Sequence, residues 1–232
     1  MIKIKVLLFP LFFLASFYCG GQTILLKYDE ATEPVYNKGP NQKKFVQGFV
    51  KFGMVTPPDQ DDAKILYGKS VNIGFGLKKK FKVSPIYSLG WQLEFDYMVY
   101  KFSKEPANLS PAGTEIDVRR FDVYSIRLGW FNRFNFDPNR GNFLGSYLDL
   151  GIDGAFAYTM KEVYKYETGY GKAITKVDDL DYTNPLQSEI FAKLGYSRIC
   201  FWTKYRFTDL LKKDSGKPEL PRISAGIELG IY

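Results

Sequence analysis

The sequence predicts an all-β protein, an eight-stranded antiparallel up-and-down transmembrane β-barrel, and three observations carry that prediction. Apolar and polar residues alternate with period two along eight segments. The connections between those segments run alternately short and long. The chain also opens on a stretch that reads as an export signal. Composition agrees, with 17% aromatic residues and 21 glycines in 232. A lipid-facing barrel needs both, for interface girdles and for close strand packing.

Lys3 and Lys5 form a positive n-region, Val6 to Phe17 an apolar stretch, and Gly20 and Gly21 a small-residue cleavage site. The apolar stretch is shorter than the roughly 20 residues of a membrane-spanning helix. Residues 1–21 are therefore expected to be a signal peptide, removed to leave Gln22 at the new N-terminus. Phe17 and Tyr18 are bulky for positions before a lipid-modified cysteine, so Cys19 should leave with the signal. Cys200 is then the one remaining thiol, and no internal disulfide can form. Residues 22–43, with Pro34, Gly39 and Pro40, read as a periplasmic extension before a barrel over 44–232. No later segment is apolar enough for a transmembrane helix, so membrane entry requires a closed barrel.

The first strand, Lys44 to Met54, puts Val46, Val50 and Phe52 on its outer face. In the second, Val71, Ile73, Phe75 and Leu77 alternate with Asn72, Gly74 and Gly76. The third is the clearest: Tyr87, Leu89, Trp91, Leu93, Phe95, Tyr97 and Val99 oppose Ser88, Gly90, Gln92, Glu94, Asp96 and Met98. The fourth alternates Tyr124, Ile126, Leu128 and Trp130 with Ser125, Arg127 and Gly129. In the fifth, Leu144, Leu148, Leu150 and Ile152 oppose Tyr147, Asp149, Gly151 and Asp153. The sixth sets Ile190, Ala192, Leu194 and Tyr196 against Glu189, Phe191, Lys193 and Gly195. The seventh sets Ile199, Phe201, Thr203, Tyr205 and Phe207 against Cys200, Trp202, Lys204 and Arg206. The eighth sets Ile223, Ala225, Ile227, Leu229 and Ile231 against Ser224, Gly226, Glu228 and Gly230.

Turn signals join strands two and three at Lys79 to Pro85, four and five at Asn135 to Asn142, and six and seven at Ser197-Arg198. The connections Val55 to Tyr67, Ser103 to Val118, Thr159 to Gln187 and Thr208 to Pro221 are longer. A soluble sandwich or lipocalin-like barrel also alternates, but it turns its apolar face inward. Here Trp91, Tyr97, Trp130, Tyr196 and Tyr205 lie on large apolar faces toward strand ends, as a membrane-interface belt would. The opposite faces mix glycine with charge, as a narrow lumen requires. An even strand count places both termini on the periplasmic side.

That lumen is expected to hold six acids, Glu94, Asp96, Asp149, Asp153, Glu189 and Glu228. Six bases, Lys51, Arg127, Lys193, Lys204, Arg206 and Arg222, are expected to pair with them. An eight-stranded barrel is just wide enough for side chains to fill, so these charges read as a salt-bridged plug.

Other chemistries are poorly served. Formal net charge is +7, two of it from Lys3 and Lys5, and no basic run exceeds Lys78 to Lys80, which argues against nucleic acid. The chain contains no histidine, removing Ser-His-Asp triads and the commonest general base. No catalytic residue, cofactor or metal site is expected. Asp59, Asp61 and Asp62, and Asp178, Asp179 and Asp181, lack the spacing of a calcium loop and read as solvated acids.

The chain resembles the small OmpA/OmpX-like outer-membrane barrel proteins of the Bacteroidota type over about residues 44 to 232. The resemblance rests on the export signal ending near Gln22, on Lys204-Tyr205-Arg206-Phe207-Thr208-Asp209-Leu210, and on a last strand, Ile227 to Tyr232, with a terminal aromatic. Tyr232 falls one step out of phase with Ile227, Leu229 and Ile231, which departs from that pattern. The resemblance implies a bacterial outer-membrane location, contact with outer-membrane lipid, and handling by the barrel-assembly machinery. It also implies a non-enzymatic structural, binding or accessory role. Tyr164, Tyr166, Tyr170 and Tyr182 in the third long connection are the candidate contacts for a protein partner, alongside the N-terminal extension. A narrow ion-conducting channel and a soluble secreted lipocalin-like binding barrel are the alternative functions.

Overall fold

The computed structural model describes residues 39–55, 65–102, 116–168, 171–178 and 180–231. Residues 1–38, on which the expected signal peptide and most of the expected extension fall, and Asp59, Asp61, Asp62, Tyr170, Asp179 and Tyr232 lie outside the described residues.

Among the described residues there are nine strands. In chain order they are β1 (Lys44–Val55), β2 (Val71–Lys82), β3 (Tyr87–Lys101), β4 (Ile116–Asn135), β5 (Ser146–Thr168), β6 (Gly171–Val177), β7 (Leu186–Tyr196), β8 (Ile199–Arg206) and β9 (Ile223–Ile231). All pair antiparallel, and hydrogen bonds close a ring through β1, β2, β3, β4, β5, β7, β8 and β9, with β9 returning to β1. The fold is thus the eight-stranded up-and-down barrel, with one strand more than the alternation predicts. That strand, β6, pairs with the far end of β5 from Glu162 to Thr168 and extends it as a hairpin above the ring.

Closure fixes the barrel's proportions. Neighbours followed once around run from Met54 through Ala225, Thr203, Ala192, Leu150, Asn132, Leu89 and Phe81 to Lys44. The path re-enters β1 ten positions from its start, 54 against 44. A stagger of that size goes with a strand tilt of about 35–45° and an interior that side chains can fill.

Several strands run further than the alternation suggests. β2 continues through Lys82, because Lys78, Lys79 and Lys80 keep the alternation and pair with β1 and β3. β4 begins at Ile116 and ends at Asn135, and β5 reaches Thr168. Leu144 precedes β5 and is buried at the short-turn end of the lumen with Phe45 and Tyr147, not on the outer face. Between β7 and β8 the turn is only Ser197 and Arg198, and Ser197 takes the positive φ of 54° that so tight a turn demands.

Glycines on the inner face let rings lie flat against the wall. Tyr147 pairs with Gly195, Phe191 with Gly151, Phe131 with Gly90, and Phe49 with Gly76. A Cβ on Gly195 would stand 2.2 Å from the Tyr147 ring. Gly195→Ala should therefore destabilise the barrel by about 1–3 kcal/mol through overpacking, read from its denaturant midpoint. Gly154→Ala, where a Cβ meets nothing within 4 Å, serves as the tolerated control.

Candidate functional site

The charged residues of the ring face mostly inward, among a few rings such as Phe49, Phe131 and Trp202, and the outward face is mostly apolar. Val46, Phe52, Phe75, Leu128, Ile152, Leu194, Phe201 and Ile227 are all exposed, while Lys51, Glu94, Arg127, Asp153, Lys193, Lys204 and Glu228 are buried. On the outward face the uncharged stretch spans Tyr87 to Val99 on β3, Tyr124 to Phe134 on β4 and Leu148 to Tyr158 on β5. Around the rest of the ring the outward charges among the described strand residues on the short-turn side are Lys44, at the start of β1, and Lys79, whose ammonium rests over the Phe81 ring.

Inside, charges are stacked in tiers. The largest joins Lys51, Arg127 and Lys204 to Glu94, Asp96, Asp153 and Glu189. Lys51 meets Glu94 directly and stands 2.7 Å from Asp96. Arg127 reaches Asp96 at 3.2 Å, Asp153 at 3.2 Å and Glu189 at 2.5 Å. Lys204 lies 3.2 Å from Glu94 and 3.5 Å from Asp153. Closer to the short turns, Glu228 is held between Lys78 and Lys193, and Lys193 also donates to Gln92 at 2.8 Å. At that end Arg133 forks onto Asp149 at 2.6 and 2.7 Å and stacks on Tyr147 with its guanidinium 3.8 Å from the ring centre. Lys80 donates to the Pro40 carbonyl, so the chain just before β1 closes this end.

The long-connection end is closed differently. Leu210, Leu211 and Leu220 of the β8–β9 connection pack with Val55, Ile65, Met98, Tyr100, Phe121 and Met160 as an apolar cap. Glu219 fixes that connection, accepting from Arg206 at 2.7 Å and from the Leu210 and Leu211 amides at 2.9 and 3.1 Å.

Eleven of the twelve lumen residues named from sequence lie in this interior, and Arg222 does not. It stands at the β8–β9 connection, half-buried, paired with Asp209 and donating to the Phe207 carbonyl at 3.2 Å. Its position before Ile223, where β9 begins, explains the difference, since inward parity has no meaning outside the strand. Lys78, Lys80 and Arg133 were missed, although continued alternation marks them: Lys78 and Lys80 follow Gly74 and Gly76, and Arg133 follows Gly129 and Phe131.

Among the belt aromatics, Tyr97 and Tyr205 face outward toward the long-connection end, and Tyr196 sits on the β7–β8 turn. Trp91 and Trp130 pair with each other two outward steps inside the edge set by Tyr87 and Phe134. Of the loop tyrosines, Tyr164 donates to Glu162 at 2.6 Å, Tyr166 bridges to Thr175 at 3.0 Å, and Tyr182 packs against the cap with Lys217 3.6 Å over its ring. These three are tied into the β5–β6 hairpin and the rim rather than held in an open loop.

Glu162 is the rim's electrostatic anchor. Burial opposes its ionisation, yet hydrogen bonds from Tyr164 and from Arg119 at 2.8 Å hold the carboxyl below the usual glutamate range. A depressed folded-state pKa contributes stability that is present above the ordinary glutamate value and lost as pH falls through the lowered one. Amide exchange across Tyr164–Val177, corrected for intrinsic rate, should therefore quicken below about pH 4. Glu162→Gln should flatten that dependence.

Cys200 is a buried free thiol, and among the described residues no group of three acidic or cysteine side chains is placed to hold a metal ion. No protein-family model matches the chain, and no curated protein matches it.

Proposed function

We propose that this protein is an exported barrel of the bacterial outer membrane, of the OmpA/OmpX-like kind, acting without catalysis as a structural, binding or accessory subunit. The observation that carries the reading is the outward band. Each strand of the ring offers lipid a run close to the 9–11 residues that a tilted strand needs to cross the hydrocarbon, uncharged except at Lys79. Lys79 lies near the short turns, where a long side chain reaches the interface. The opposite face is charged, paired and enclosed, which is the inverse of a water-soluble barrel.

In this reading the short turns, the start of β1 and the end of β9 face the periplasm. β4, β5 and β6 then rise beyond the outer leaflet, because β4 and β5 are far longer than a crossing requires. Partner contact falls to this blade, where β6 pairs with β5 alone among the described strands and presents a free backbone edge. The lumen is expected not to conduct, since the charged tiers and the apolar cap occupy it in series. An apolar ligand has the same difficulty, and the charged lining would not favour it.

The test is fractionation combined with a heat-shift gel. The protein is expected in the outer-membrane fraction, and its mobility in SDS should change on boiling. Recovery in the aqueous fraction after lysis would overturn the reading in favour of a soluble secreted barrel.

A further inference from the structure

We propose that the outer face of the β3–β4–β5–β6 blade, just above the apolar band, is a binding site for the phosphate of an anionic lipid headgroup. The inference rests on the membrane reading above and assigns that surface a ligand.

Three rungs of the sheet build the site. The lowest is aromatic: Tyr97 and Tyr124 are cross-strand partners with rings stacked 4.5 Å apart, and Tyr158 lies 6.3 Å from Tyr124. A register shift between Tyr124 and Ser125 brings Tyr158 to this level. The middle rung is Val99, Asp122 and Lys161, and the upper rung is Lys101, Arg120, Val163 and Lys176, each residue paired with the next across the strands. Four cations therefore converge from four strands above a floor of tyrosines. A pocket of about 380 Å³ opens against three of them, lined by Arg120, Lys161 and Lys176 together with Asp122, Tyr124 and Tyr158, while Lys101 stands outside the lining.

The charge is unbalanced. Asp122 sits buried beneath the cations and takes Arg120 at 3.1 Å, and Asp178 takes Lys161 at 3.2 Å. Two acids thus stand against four bases, leaving an excess of positive charge at one small site. A guanidinium and two or more ammonium groups around a cavity suit the three oxygens of a phosphate.

Depth selects the lipid over a free anion. The site begins one rung above Tyr124, where the uncharged band of β4 ends, so its cations stand at headgroup level when the band fills the hydrocarbon. The tyrosine floor continues the band's apolar surface, along which acyl chains would lie. At the opposite edge of the band, at the short turns, the outward charges of the described strands are Lys44 on β1 and Lys79 on β2, with Trp91, Leu89 and Tyr87 rather than a further cation beside them on β3.

The experiment uses the full chain folded into phosphatidylcholine nanodiscs with and without 5 mol% phosphatidic acid as the probe. Lipid retained on the released barrel is counted by native mass spectrometry. Wild type is expected to retain one phosphatidic acid in at least tenfold preference over phosphatidylcholine. Lys161→Gln/Lys176→Gln should lose that preference, while Asp122→Asn should keep or strengthen it. Lys212→Gln/Lys213→Gln, on the β8–β9 connection, should leave it unchanged. Equal retention by wild type and the double variant would overturn the proposal, as would a loss that Lys212→Gln/Lys213→Gln reproduces. Full displacement by millimolar inorganic phosphate would also overturn it, by revealing a free-anion site. A normal heat shift in every variant separates these outcomes from failure of the barrel to fold in the membrane.

Discussion

Arg127→Ala is expected to destabilise the barrel by about 3–5 kcal/mol, the cost of breaking a buried ion pair from one side. Arg127 is the hub of the largest tier, reaching Asp96 from β3, Asp153 from β5 and Glu189 from β7. Its removal leaves four carboxylates with Lys51 and Lys204 as their only cations in that tier. The excess negative charge is enclosed where water reaches it poorly, so repulsion and incomplete solvation add together. The midpoint of urea unfolding in lipid should fall, with slope unchanged. Asp153→Asn added to Arg127→Ala should recover part of the loss, because one uncompensated charge disappears. If the double variant is as unstable as the single, the cost lies in lost packing of the arginine stem rather than in charge. Replacement of the whole tier by apolar residues is a separate matter and need not destabilise at all.

Leu128→Arg is the second large effect, and it separates the membrane reading from a soluble one. Leu128 is 62% exposed at the middle of the β4 band, midway between Tyr124 and Phe134. On a water-soluble protein a substitution at so open a site changes stability by at most about 0.5 kcal/mol. At the centre of a bilayer an arginine on a barrel wall costs about 2–4 kcal/mol, falling toward zero at the interfaces. Tyr196→Arg, on the β7–β8 turn, should therefore be nearly neutral. A depth series through Ile152→Arg and Ile227→Arg should reproduce the large value, since both lie near mid-band on their strands.

How much of this was legible in sequence follows from where a strand has two different faces. β3 could be read residue by residue because Tyr87 to Val99 is wholly apolar on one side and, Met98 apart, polar or small on the other. β2 stopped too early because three consecutive lysines look like a turn, although only Lys79 faces outward and Lys78 and Lys80 fill the lumen. The β5–β6 hairpin escaped notice for a physical reason. Above the band neither face of most of it is buried, so Lys165, Ile174 and Lys176 carry no alternation to detect. The cap was equally hidden, because Leu210, Leu211 and Leu220 belong to an irregular connection with no period at all. Parity predicted which residues share the lumen, but the pairs across it, such as Lys204 with Glu94, depend on the stagger of the closed ring.

The most direct test of the central claim, a barrel with its apolar face in lipid and its polar face sealed inside, uses the three tryptophans. Trp91 and Trp130 face outward within the band, whereas Trp202 is 3% exposed in the lumen with Lys51 4.9 Å from its ring centre. Two variants divide them: Trp202→Phe keeps the outward pair, and Trp91→Phe/Trp130→Phe keeps the inner one. In vesicles of lipid brominated on the acyl chain, the Trp202→Phe protein should lose most of its tryptophan fluorescence. The Trp91→Phe/Trp130→Phe protein should stay bright under both brominated lipid and aqueous acrylamide. Strong acrylamide quenching of the outward pair, with no response to brominated lipid, would contradict the account.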